Sequence, residues 1–148
     1  MSTVDSNIES LNPRFQPIVR AWFEIVMERV IPLRFPNFKA KITETFRSLE
    51  RQAEQLASGA SQVKVGWHNY GLAIDFAVFD EHGVYIQNGG HPAFESFGQI
   101  ALGLGAHWGI RVNGRLDAGH IEYHPGFTLE QYQAYLQAGK SATEIFRT

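Results

Sequence analysis

Between Pro13 and Ile31 the apolar residues Phe15, Ile18, Val19, Phe23, Val26, Met27 and Val30 recur at helical spacing. The pattern predicts an amphipathic helix, with Asn12 placed to cap it, Pro13 suited to its first turn and Pro32 marking its end. In KAKITETF, Ala40 and Ile42, with Thr45 beyond them, alternate against charged neighbours, which predicts a short strand. It leads into a second helix over SLERQAEQLASG, closed by Gly59.

GLAIDFAVFDEHGVYI contains two runs of β-branched and aromatic residues joined by Asp80, Glu81, His82 and Gly83, and reads as a β-hairpin. After a loop rich in Gly and Asn, FESFGQIALGLGAHWG predicts a helix ending among glycines, and HIEYH alternates as a strand does. Thr128 then opens a last helix over FTLEQYQAYLQAGK. The expected fold is α+β: a small antiparallel sheet flanked by helices in a single domain over residues 1–148, with no separate binding domain evident.

Composition narrows the chemistry. With 44% hydrophobic and 19% charged residues the chain has a globular make-up. It has no cysteine, which excludes disulfides, thiolate metal sites and a cysteine nucleophile. The start, MSTVDSNIESLNPRF, lacks the basic and apolar stretches of a secretory signal, and no segment is apolar for long enough to span a bilayer. A cytoplasmic product on synthesis, with no membrane insertion, is the expectation. The formal net charge is -2, and the basic residues before position 52 are interleaved with Glu, so no nucleic-acid partner is expected.

Two segments carry candidate chemistry: GWHNYGLAIDF, with His68 and Asp75, and LDAGHIEYH, with Asp117 and His120. Two imidazoles and a carboxylate form a ligand set for zinc, and three protein ligands leave a position open for water, as catalytic sites do. A further carboxylate, Asp117, lies near the last ligand and can act as a base toward that water. Gly71, between His68 and Asp75, lets the backbone bend or pack closely.

These segments together resemble the signature of the M15 zinc peptidases, a family of D-alanyl-D-alanine carboxypeptidases, dipeptidases and phage endolysins that cut the L-alanyl-D-glutamate bond of peptidoglycan. Upstream, FRSLERQAEQLASG resembles the family's arginine-bearing segment, with Arg47, Ser48, Gln52 and Gly59 at matching intervals, so the resemblance runs from about position 42 to 125. It implies one zinc ion per chain held by His68, Asp75 and His120, Asp117 as catalytic acid-base, and Arg47 as a contact to the substrate carbonyl or carboxylate. An Asp at 117, where the carboxypeptidase branches usually carry Glu, resembles the L-alanyl-D-glutamate branch. The partner implied is bacterial peptidoglycan, met by a monomer after release from the cytoplasm. The alternatives are a D-alanyl-D-alanine carboxypeptidase or dipeptidase, and a zinc-containing module that recognises cell wall without turnover.

Plainer roles stand beside these. A lone histidine is more often hydrogen-bonded for structure than a ligand, and Arg47 in isolation would form an ordinary surface ion pair. Glu122 shares a strand face with His120 and is the rival for the base, or an acid that orients an imidazole from behind. His124 is expected at a rim or in a loop, His82 and His91 in solvent, and His107 in packing or a cleft wall. Trp67 and Tyr70 are expected to pack or to line a cleft.

Overall fold

The computed structural model describes residues 3–61 and 65–146. Its central element is β2, Ala73–Phe79, the run of alternating apolar residues in AIDFAVF. β1, Lys39–Glu44, pairs with it antiparallel on one side and β5, His120–Glu122, on the other, giving the order β1-β2-β5. Helices pack against one face of this sheet, so the architecture is the expected α+β arrangement.

Ile74, Phe76 and Val78 are buried and form the inner face of β2. Above them lie α1, Gln16–Ile25, and α4, Pro92–Gly103. Trp22 of α1 packs its ring 4.9 Å from Phe76 and donates its indole N–H to the Phe97 carbonyl of α4 at 2.9 Å, so its polar atom is satisfied in the core. The opposite face of β2 carries Asp75, which is thereby held on a strand whose other side is locked in the core.

The first helix differs from expectation at both ends. α1 starts at Gln16 rather than Pro13, because Asn12 builds a turn instead: its carbonyl accepts from the Phe15 and Gln16 N–H groups, and its side-chain oxygen accepts from Arg14 N–H. The helix also continues past Pro32. A wide π turn over Val26–Val30, closed by Ile31 N–H on the Val26 carbonyl, precedes α2, Ile31–Arg34. Proline removes one helical hydrogen bond and crowds the carbonyl a turn earlier, and the wider turn accommodates both effects.

The expected hairpin closes only partly. Asp80 to Gly83 do form the turn, but the returning chain makes a single bridge, Phe79 to Tyr85, with Ile86 N–H bonded to the Val78 carbonyl. The rest of that edge of β2 is taken by β5, through Ala73 with Glu122, Ile74 with Ile121 and Asp75 with His120. A distant segment thus occupies the place that local pairing would have used.

α3, Leu49–Ala57, is capped by the Ser48 hydroxyl and followed by Gly59 at φ 81°, as its sequence predicts. α5, Leu129–Gln137, begins with a capping box of Thr128 and Gln131. Beyond it lies a short helix, α6, Ala142–Phe146, and between α4 and β5 a small ribbon of β3, Arg111–Val112, and β4, Arg115–Leu116. Neither α6 nor the ribbon follows from the apolar periodicity. His91, expected in solvent, accepts from Ala93 N–H as the cap of α4 and packs on Phe35 and Phe38. No helix among the described residues is long and apolar enough to cross a membrane.

Candidate metal centre

Asp75 faces His120 directly across the β2–β5 pair, a register that sets the two side chains on the same face. His68 arrives from a 3₁₀ turn, Trp67–Tyr70, immediately before β2. That turn ends at Gly71 in the left-handed region, φ 68°, and a Cβ there would lie 2.6 Å from the Asn12 backbone nitrogen. Glycine is therefore required twice over, by conformation and by space.

One donor atom from each of His68, Asp75 and His120 lies within 4.8 Å of the others. Asp75 Oδ1 is 3.2 Å from His68 Nε2 and 3.1 Å from His120 Nδ1. Ligands about 2.0–2.1 Å from a tetrahedral ion stand roughly 3.3 Å apart, so the spacing suits a metal.

The outer nitrogens are oriented as well. His68 Nδ1 lies 2.8 Å from the Thr45 carbonyl, which can only accept, so Nδ1 donates and Nε2 is the ring nitrogen turned toward Asp75. His120 Nε2 lies 2.8 Å from Glu122 Oε1, leaving Nδ1 directed inward. The residues behind the cluster thus select the tautomers that metal ligation needs.

Without an ion, a proton bridges the same groups. Burial alone would lower the pKa of His120, but hydrogen bonds to Asp75 and Glu122 and their charges push it up to about 10. Burial would raise Asp75, yet His68 and His120 together hold it far below the usual carboxylate range. Glu122 is likewise drawn down to about 2 against the effect of burial, through its bonds to His120 and His124. A cation held by His68, Asp75 and His120 would take the place of the proton on His120 Nδ1.

Asp117 follows β4 and lies 4.0 Å from His120 Nδ1, with its side chain about half exposed. Its carboxyl pKa is raised, first by burial, with the negative charges of Asp75 and Glu122 adding and the two histidines opposing. A raised carboxyl beside the ligand set has the properties of a proton acceptor. Glu122 is placed differently: it contacts His120 and His124 from behind and presents neither oxygen between the three donors. Its geometry is that of the orienting acid.

Arg47 lies in the loop between β1 and α3, not on a helix or in an exposed ion pair. Its Nη2 donates to Glu44 Oε1 at 2.7 Å and to Asp75 Oδ2 at 3.3 Å, and its Nη1 to Gln52 Oε1 at 3.0 Å. The guanidinium thus grips the Asp75 oxygen that does not face the imidazoles. Glu44 reaches this position because a bulge between Ile42 and Glu44 shifts the β1 register, so that Glu44 rather than Thr43 stands opposite Asp75. Arg51 donates to the second Glu44 oxygen at 3.2 Å. Arg47→Ala would strand a buried carboxylate, and denaturant unfolding should show a loss of about 3 kcal/mol, partly offset by Arg51. Unchanged stability would mean that the buried network carries no weight.

Alternation alone did not reveal the other supports. Asn69 donates to the Arg47 carbonyl at 2.8 Å and accepts from Gly66 N–H, lacing the arginine loop to the His68 turn. His124, expected at a rim, is half-buried between the rings of Trp67 and His107, with centroids 4.7 and 4.0 Å away, and bonds to Glu122. His107, expected in packing or a cleft wall, packs by stacking on His124, Trp67 both packs and borders the cleft, and Tyr70 packs on Tyr132. His82 is exposed in its turn. The cleft, about 1210 Å³, is lined by Arg47, His68, Asp75, Asp117, His120 and Glu122 among others.

Comparison with known proteins points the same way. Residues 59–123 match a peptidase M15 family model described as D-alanyl-D-alanine carboxypeptidase. Over 87 residues the chain is 33% identical to the L-alanyl-D-glutamate peptidase of Listeria phage A118, a stretch that makes up 56% of this chain and 30% of that protein. The chain thus spans about a third of the length of the curated relative it matches. The crystal structure of Serratia marcescens L-Ala D-Glu endopeptidase ChiX superposes with a TM-score of 0.60 at 20% identity, over 85% of this chain and 86% of that one. The vancomycin-resistance D,D-pentapeptidase VanY, solved in complex with Zn(II), gives 0.53 at 12% identity, over 97% and 90%. At such identities these two structures speak for a shared fold.

Proposed function

We propose, for a chain whose residues 59–123 match a model of the M15 peptidase family, a zinc-dependent peptidase that hydrolyses the L-alanyl-D-glutamate bond of bacterial peptidoglycan stem peptides, as an endolysin does. The observation that carries this reading is the convergence of His68, Asp75 and His120 donor atoms in one cleft with the Asp117 carboxyl at their side. All of these groups come from one chain, so a monomer suffices.

When bound, zinc supplies Lewis-acid polarisation of the scissile carbonyl and lowers the pKa of water toward about 7. Asp117 takes the proton from the attacking water and delivers it to the departing amine, a double role suited to a carboxyl with a raised pKa. Glu122 holds His120, and Thr45 holds His68, in their ligand orientations. Arg47 fixes Asp75 and borders the cleft where the substrate lies.

The match to a carboxypeptidase family model favours one rival, removal of a terminal D-Ala. Digestion of purified peptidoglycan, analysed by mass spectrometry with zinc present and after chelation, decides between them. New free amino groups on D-Glu are expected, and chelation should abolish them. Released D-Ala would transfer the assignment to the carboxypeptidase. Wall binding without any cleavage would make the protein a recognition module.

A further inference from the structure

The cleft is rich in negative charge: Asp75, Asp117 and Glu122 all line it. The proposed substrate is itself an anion. A glutamyl residue has two carboxyl groups, the chain continues through only one of them, and the other is left free beside the scissile amide. Such a substrate needs a counter-charge to approach Asp117.

Apart from histidines, the side-chain cations among the described lining residues are Arg47 and Arg115. Arg47 is already committed to Glu44 and Asp75. Arg115, exposed on β4, has no carboxylate partner among the described residues, and its guanidinium fork is unengaged. It stands two residues before Asp117 on an extended segment, since Asp117 N–H continues the ribbon pairing by bonding to the Ile110 carbonyl at 2.9 Å. Residues two apart on a strand share a face about 7 Å apart. The base and the free cation therefore look toward the same part of the cleft.

The ribbon is built to hold that position. Asn113 and Gly114, at φ 51° and 77°, supply the positive angles of a tight two-residue turn, and Arg111 Nη1 donates to the Gly114 carbonyl at 3.0 Å. At its base Trp108 donates to the Ala118 carbonyl at 2.8 Å and packs on Gly98 of α4, where even a Cβ would come within 2.1 Å of the indole. Arg111 steadies the turn, and Arg115 is left for a ligand.

We propose that Arg115 binds the free carboxylate of the glutamyl residue at the scissile bond and sets the preference for an acidic residue there. This rests on the reading of the site as an L-alanyl-D-glutamate peptidase. The test uses the zinc-loaded full chain and two synthetic peptides containing that bond, one with the glutamyl carboxylate free and one with it as a carboxamide. Both cleavage and binding are measured, the latter calorimetrically.

The wild type should favour the carboxylate peptide, and Arg115→Ala should raise its KM about tenfold, with a several-fold smaller effect on the carboxamide; Arg115→Lys should restore part of the difference. Equal effects on both peptides, or none, would overturn the proposal. If neither peptide is cleaved but the wild type binds the carboxylate form better and Arg115→Ala does not, the peptidase reading fails and the Arg115 site stands. Absence of both cleavage and binding removes both.

Discussion

Asp117→Asn should lower turnover by about 10² to 10⁴ while metal content and folding stay near wild type. The amide keeps the shape of the carboxylate but cannot accept a proton from the attacking water. Asp117 contributes no donor to the three-atom cluster, and its side chain is half exposed, so neither metal nor core depends on it. Glu122→Gln provides the contrast. A glutamine can still accept from His120 Nε2, but it lacks the charge that steadies the imidazole, so the loss should lie mainly in metal affinity, about 10- to 100-fold. A dead Glu122→Gln beside an active Asp117→Asn would reverse the two roles. Metal loss in Asp117→Asn would make that residue a ligand.

His68→Ala, Asp75→Ala or His120→Ala should each lower metal occupancy sharply and abolish turnover, as read by metal analysis and the peptidoglycan digest. Each change leaves two donors where three converge. In the ion-free site His120 holds a proton with a pKa of about 10, so a metal must displace it. Between about pH 7 and 10 the apparent affinity should therefore rise by up to tenfold per pH unit, with one proton released for each ion bound. The same shift has the opposite sign for the metal-free fold. A His pKa raised above its unfolded value of about 6.5 stabilises the fold fully below that value, and the contribution fades as pH rises through 10. The depressed Asp75 and Glu122 carboxyls stabilise above about pH 4, and their contribution is lost on acidification. A triple alanine variant that retains a full complement of metal would remove the site from these residues altogether.

Much of this molecule could be read locally. The helical spacing from Phe15 to Val30, the Ser48 and Thr128 caps and the alternation in AIDFAVF depend on neighbours a few residues apart, and the structure contains the corresponding elements. His68, Asp75, Asp117 and His120 stood out because they fall in two short segments whose residue types suit one chemistry. Gly71 was legible too, since only glycine tolerates both its positive φ and the approach of Asn12.

Other features required the whole fold. Residues 84–86 have strand-like neighbours, yet β5 takes most of the edge they would have paired with, because pairing is decided by competition among distant segments. Alternation would set Glu44 beside Ala40 and Ile42 on the inner face, but the bulge before it reverses the parity and delivers its carboxylate to Arg47. Arg47 consequently became a buried clamp on Asp75, and His124 a half-buried partner of Glu122. Sequence by itself determined which residues could ligate, accept a proton or cap a helix, since these are properties of the side chain and its near neighbours. Tertiary structure alone decided which charges are paired and which remain free, because burial and long-range register set the environment in which each charge must be satisfied.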